Sequence, residues 1–425
     1  MKKEFLVFLI LLFFIFFVYQ PAFLNFFAQD DFILINQFSQ NNIWQDLKNV
    51  FGPPQVTHWR PIHNLYFFVA GNLFSENYAG YHALTFAFHI GASFLIYKTA
   101  FRLFKNQVAS LSSGILYGVH PAHFISLFWI SGGATSIGFF FLIASFYGYL
   151  TGKRSFSLIL FLLAILASEA MMVGLGIILL WEILTKGKKL DKRFLVEIGV
   201  ISTVFAVVRF LTFTPKTAFD VYNLEFSTLI ISTVKYYLLR IAGFAEVSGD
   251  KIISIFLLSW LVLISLLLIK TLSKKQDIRL LILSVAVITI GLFPFILIPS
   301  HLSPHYMNLS IFGFSTLVSC ALKQLKPLTS FTIILIFVVI SASNINQTLN
   351  NNWVIRRGNF AKAYIEQIEK DNPASGATLT FEDSSLSTSR EAYISLGTGK
   401  GIKFWFKDRN YKTCFSAFEK CAILN

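Results

Sequence analysis

The chain has 425 residues, a formal net charge of +14 and a mean hydropathy of +0.63. Hydrophobic residues make up 55% and charged residues only 14%, well below the roughly one quarter typical of soluble domains, which excludes a soluble globular protein. Many of the basic residues sit in short loops between apolar runs. They therefore set membrane orientation and do not form a nucleic-acid surface.

The first apolar run, residues 5–19, predicts a transmembrane helix. Lys2 and Lys3 precede it as in a signal peptide, but Phe26-Phe27-Ala28 is a poor small-residue cleavage site, so the helix is expected to stay. Asp30 and Asp31 follow at the membrane exit. Charge is costly beside lipid and tends to mark function, and the pair could supply a general base. Arg60 follows in His58-Trp59-Arg60-Pro61.

Basic clusters recur at Lys98/Arg102/Lys105, Lys153-Arg154, Lys186 to Arg193, Lys270 to Arg279 and Lys323/Lys326. Placing them with Lys2-Lys3 in the cytoplasm requires an even number of crossings between neighbouring clusters. Asp30-Asp31, His120-Pro121-Ala122-His123, Ser168-Glu169, Arg209, His301 and His305 then fall on the outer side. Residues 156–184 are too long for one span and short for two, so Glu169 is expected at the tip of a shallow hairpin. Residues 226–244 carry Lys235 and Arg240 and predict an outer-surface amphipathic helix. About eleven spans result, with the N-terminus inside and the C-terminus outside.

The fold expected is an all-α polytopic membrane domain, residues 1–345, followed by a small extracytoplasmic α/β domain, residues 346–425. In the tail, residues 351–370 have helical spacing, and 378–381 and 402–406 read as strands. Cys320 reads as inert packing. Cys414 and Cys421 either pair or stay free, depending on the compartment.

His58, His63, His120, His123, His301 and His305 all map to the outer side, with His82 near it. Each admits a structural role: His120-Pro121 as a helix cap, Glu169 as a cation's partner, Arg209 as a snorkelling side chain. Their convergence on one face points to a polar cavity. No cofactor is expected; a divalent metal held by Asp and His is the alternative.

Several landmarks share an order with a known family. They are Asp30-Asp31, Trp59-Arg60-Pro61-Ile62, Tyr81-His82 to His89, His120-Pro121-Ala122-His123, Trp129-Ile130-Ser131-Gly132, Ser168-Glu169 and His305-Tyr306 to Gly313-Phe314-Ser315. Together they resemble the GT-C membrane glycosyltransferases, most of all the transmembrane part of the TMTC-type protein O-mannosyltransferases. The resemblance covers roughly residues 5–345. Ile125, Gly133 and Ala167 stand where that family has glutamate, arginine and lysine, and the TPR array is replaced by the short tail.

The resemblance implies transfer, with inversion, of a sugar from a polyprenyl-phosphate donor to an acceptor hydroxyl on the extracytoplasmic face. A bacterial inner membrane is the expected site, and the acceptor is a protein, lipid or polysaccharide. Asp31, ahead of Asp30, is the expected proton acceptor. Arg209, then Arg60, is expected to meet the phosphate, with Glu169, His120, His123 and His305 around donor phosphate and sugar. A transporter or flippase is the alternative, disfavoured because the charges gather on one side and the two halves do not match. A non-catalytic scaffold binding a partner through residues 351–425 is the other.

Overall fold

The computed structural model describes residues 2–40, 42–52, 59–186, 189–212, 224–246, 250–272, 275–383 and 386–421. The helices in chain order are α1 (Lys2–Tyr19), α2 (Asp30–Phe38), α3 (Ile43–Phe51), α4 (Pro61–Phe74), α5 (Tyr78–Phe104), α6 (Gln107–Gly118), α7 (Phe124–Phe128) and α8 (Ala134–Leu150). Next come α9 (Arg154–Ala167), α10 (Gly174–Lys186), α11 (Lys192–Thr212), α12 (Leu229–Ile241), α13 (Lys251–Leu272), α14 (Lys275–Ile296), α15 (Asn308–Leu322) and α16 (Pro327–Asn351). The C-terminal segment holds α17 (Trp353–Asp371), β1 (Thr378–Phe381), α18 (Ser389–Ser395), α19 (Lys400–Trp405) and β2 (Lys412–Phe415).

Among the described residues, seven helices are long and apolar enough to cross a membrane: α1, α5, α8, α11, α13, α14 and α16. Four shorter helices, α6, α9, α10 and α15, run between them. The sequence predicts about eleven spans; among the described residues seven helices have the length and composition for one, and α9 is a shorter apolar helix. At about 1.5 Å per residue, α9 reaches only about 21 Å. It is followed directly by the turn Glu169–Val173 and then α10, the short hairpin that the sequence predicts. The inner helices are tied closely. A Cβ at Gly313 of α15 would lie 2.7 Å from the Ser284 carbonyl oxygen and 2.8 Å from the Ile288 nitrogen of α14, so only glycine fits that crossing.

The main core runs through α1, α5, α6, α8 and α15 and includes Leu11, Ile15, Ile96, Tyr117 and Phe139. A second core lies above it. Phe27 and Phe32 near α2, Phe67 of α4 and Tyr81 of α5 pack there with Ile365, Phe404 and Phe415 of the C-terminal segment. That segment thus shares its apolar interior with the outer helices. The helix preceding it runs on to Asn351, past the boundary expected at 345/346.

α17 forms where the periodicity predicts it. Asn352 caps it by accepting from Val354 N–H at 2.9 Å, and Val354, Ala361, Tyr364, Ile365 and Ile368 line its buried face. β1 also matches its expectation and pairs in parallel with β2. The strand expected at 402–406 is instead α19. Gly397 and Gly399, at φ +55° and +85°, turn the chain sharply, and the helix then buries Ile402 and Phe404 against the second core. Cys414 and Cys421 form a disulfide across the end of β2. Cys320 is a buried free thiol.

Candidate active site

The acidic pair opens α2 and its two members have different surroundings. Asp31 is 1% exposed. Its Oδ1 accepts from Ser131 N–H at 2.8 Å and from the Ser131 hydroxyl, and its Oδ2 accepts from Ala28 N–H at 3.0 Å. Burial pushes its carboxyl up to about 7, against the pull of those hydrogen bonds and with a smaller push from Asp30. Asp30 keeps exposed surface. Lost hydration nevertheless raises its pKa, and Arg357 pulls it back.

The two carboxylates thus differ in access: both oxygens of Asp31 are bound and tie α2 to the turn before α8, whereas Asp30 is exposed.

Gln29, just before the pair, has φ +55° and ψ −119°, a conformation costly for a side chain other than glycine. Its N–H donates to the Ser395 carbonyl at 3.0 Å. Arg357 Nη1 donates to its side-chain oxygen at 3.1 Å. Arg357 also pairs with Glu391, Nε–Oε2 3.3 Å, and lies 5.3 Å from the centre of the Trp353 ring.

Arg60 and Glu169 form a two-point ion pair, Nε–Oε2 2.7 Å and Nη2–Oε1 3.2 Å. Trp59 stacks on Phe205 of α11 at 6.0 Å. Arg209 lies one turn further out on the same helix face as Phe205. His305 is buried, with Nδ1 2.6 Å from Ser303 Oγ. Burial drives its pKa down to about 3, helped by His301 and Arg60, so it is neutral at physiological pH. Trp129 bridges His305 at 6.3 Å and Trp353 at 5.3 Å, linking the two sides.

His120 and His123 are closed off from solvent. His120 is fully buried. Its Nε2 lies 2.9 Å from the Ile241 carbonyl and its Nδ1 accepts from Ala122 N–H at 3.3 Å. His123 packs among His89 and Tyr117 with ring centres 4.6 Å from each. Both rings, expected at the donor, are packed in the interior with no exposed face. His63 is likewise buried against Tyr66 and Phe67. His58 lies outside the described residues. Lys235 is exposed on α12, the outer helix expected at 226–244, and Arg240 caps Phe244 O at 3.0 Å. Among the described residues no three His, Cys, Asp or Glu side chains gather as a metal site.

Sequence reasoning named Trp129 and Ser131 only as landmarks of a resemblance, and gave no site role to them, to Trp353 or to Arg357. Only the hydrophilic interruption at Ser131 hinted at a buried polar partner. Arg357 reads as one more cation on an amphipathic helix.

No family model and no curated protein matches this chain. Among solved structures it is similar to ArnT from Cupriavidus metallidurans bound to undecaprenyl phosphate. The TM-score is 0.51 at 14% identity, covering 94% of this chain and 75% of that one. At this identity the likeness is one of fold, and it agrees with the GT-C-like polytopic membrane architecture expected above.

Proposed function

We propose that the protein is a membrane glycosyltransferase that takes a sugar from a polyprenyl-phosphate donor on the extracytoplasmic face. The observation that carries this reading is Asp30: an accessible carboxylate under the influence of Arg357, close after the first helix long and apolar enough to cross a membrane. The fold shared with a protein bound to undecaprenyl phosphate supports it.

In this reading Asp30 accepts the proton of the acceptor hydroxyl. The oxygen attacks the anomeric carbon, the bond from that carbon to the phosphate oxygen breaks, and inversion follows. The leaving polyprenyl phosphate takes the bonding electrons, and its charge calls for donors. Arg60, oriented by Glu169, is the first such group and Arg209 the second. Neutral His305 can donate a hydrogen bond without adding charge. An apolar groove of about 390 Å³ beside Met172, lined by Ala206, Val207 and Phe210 of α11, suits a prenyl chain. The Cys414–Cys421 disulfide favours an oxidising, extracytoplasmic location for the C-terminal segment. The acceptor is a hydroxyl on a protein, lipid or polysaccharide.

The test is a transfer assay on purified protein in detergent. Radiolabelled polyprenyl-phosphate mannose, glucose and arabinose are the donors, and a membrane extract is the acceptor pool. Label transfer or sugar release that disappears in Asp30→Asn is expected. Folded protein with no turnover on any donor would overturn the reading.

A further inference from the structure

We propose that Arg357, carried by the C-terminal segment, is a positioning residue of the outer-face site: it seats the Gln29 turn and the Asp30 carboxylate that follows. This rests on the reading of Asp30 given above. Three contacts from that segment converge on one residue. Arg357 donates to the Gln29 side chain at 3.1 Å, Ser395 O accepts the Gln29 N–H at 3.0 Å, and a Cβ at Gly397 would lie 2.5 Å from the Gln29 carbonyl oxygen. Gly397 itself sits at φ +55°, so the close approach and the turn both demand glycine there.

A non-glycine residue holds a conformation like that of Gln29 only where its surroundings over-determine it. Here those surroundings come from α17, α18 and the turn after α18, more than 320 residues further along the chain. Asn36 of α2 adds a further tie, donating to Lys400 O at 3.0 Å. The strained turn starts α2 at Asp30, and Asp31 anchors the same helix to Ser131. The C-terminal segment is thus part of the site and not an appended domain.

Arg357 also brings charge. The ionisable groups around Asp30 are Asp31 on its own helix, Arg357 from α17 and, beyond it, Glu391 from α18. Of the other elements packed on α2, α3 carries Asp46 and Lys48, α4 carries His63, and α19 carries Lys400 and Lys403. Arg357 lowers the pKa of Asp30, and Glu391 shares the same guanidinium. Removing Arg357 therefore raises the pH at which Asp30 loses its proton. Removing the Glu391 charge leaves Arg357 less neutralised and lowers it.

The experiment is carbodiimide labelling of the full chain in detergent across a pH series, with label at Asp30 read by peptide mass spectrometry. Asp31, bound and buried, reports folding by staying protected. The midpoint for Asp30 is expected to move to higher pH in Arg357→Gln, to return in Arg357→Lys, and to move to lower pH in Glu391→Gln. A tenfold loss of transfer at neutral pH in Arg357→Gln, partly recovered at higher pH, is the matching activity result. Unmoved midpoints in Arg357→Gln and Glu391→Gln, or midpoints moving the same way in both, would overturn the proposal. If Arg357→Gln fails to protect Asp31, Glu391→Gln alone decides by its direction. Labelling needs no turnover, so an inactive wild-type protein would count against the glycosyltransferase reading and leave this inference to stand or fall by the midpoints.

Discussion

Arg60 and Glu169 join two segments that are 109 positions apart, through a pair of hydrogen bonds of 2.7 and 3.2 Å. Their side chains are 21% and 28% exposed, so the pair is shielded but not dry. Bidentate arginine–carboxylate geometry holds orientation as well as energy. A double-mutant cycle with Arg60→Ala and Glu169→Ala is expected to give a coupling of about 1–2 kcal/mol in denaturant unfolding in detergent. Strictly additive effects would show that the two side chains act separately. Glu169→Gln is expected to weaken donor use more than stability.

The two aspartates should separate cleanly. Among the described residues, none donates a hydrogen bond to the Asp30 carboxylate, so Asp30→Asn is expected to fold normally. The turnover it loses is on the order of 10²–10⁴-fold. In Asp31→Asn a carboxamide N–H₂ faces a backbone N–H at one of its two oxygens. That variant is expected to lose about 1–3 kcal/mol of stability. Unfolding midpoints measured beside turnover distinguish the two; a stable, inactive Asp31→Asn would reverse the assignment.

Asp31 also imposes a pH dependence on stability. Folded, its carboxyl holds its proton up to about pH 7, against a reference value of 3.8 when unfolded. Between those values the folded chain binds more protons than the unfolded chain, so stability falls as pH rises from about 4 to about 7. The total is at most about 4 kcal/mol. Below the window both states are protonated and above it both are ionised, so the group adds no slope outside it. Unfolding midpoints across pH should show the wild-type slope and a flatter one in Asp31→Asn, with the deficit of the variant largest at the acid end.

Cys414 and Cys421 give a readout of topology. With the C-terminal segment outside, a membrane-impermeant maleimide added to intact cells with reductant should label Cys421, while buried Cys320 stays unlabelled. Labelling of the tail only after the membrane is opened would place it inside. Replacing both cysteines of the pair by serine closes no short loop and is expected to cost roughly 2 kcal/mol of local stability, read as faster proteolysis around β2.

His120→Ala should behave as a core substitution. It leaves the Ala122 N–H and the Ile241 carbonyl without their partner, a loss of about 2 kcal/mol in stability. The KM for the donor should stay within about twofold. A large rise in KM with unchanged stability would return His120 to the donor site.

The amino-acid sequence by itself determined the membrane architecture. A bilayer demands apolar runs of about 20 residues and puts basic residues on one side, so crossings, turns and the shallow Glu169 hairpin follow from local composition. It also placed Asp30, Asp31, Arg60 and Glu169 on one face, because parity carries that information along the chain. Only the tertiary structure decided which of those groups is available. Asp30 and Asp31 are identical in type and adjacent, and differ because Ser131, 100 residues away, claims one of them. His120 and His123 share the correct face yet lie beneath it, since depth depends on how α12, α15 and α16 close over the turn. Residues 402–406 alternate like a strand but coil into α19, where two turned glycines and the ring of Phe32 leave room for a helix. Arg357 meets Gln29 across 328 positions. No local pattern encodes that contact, because it exists only once the second core has packed.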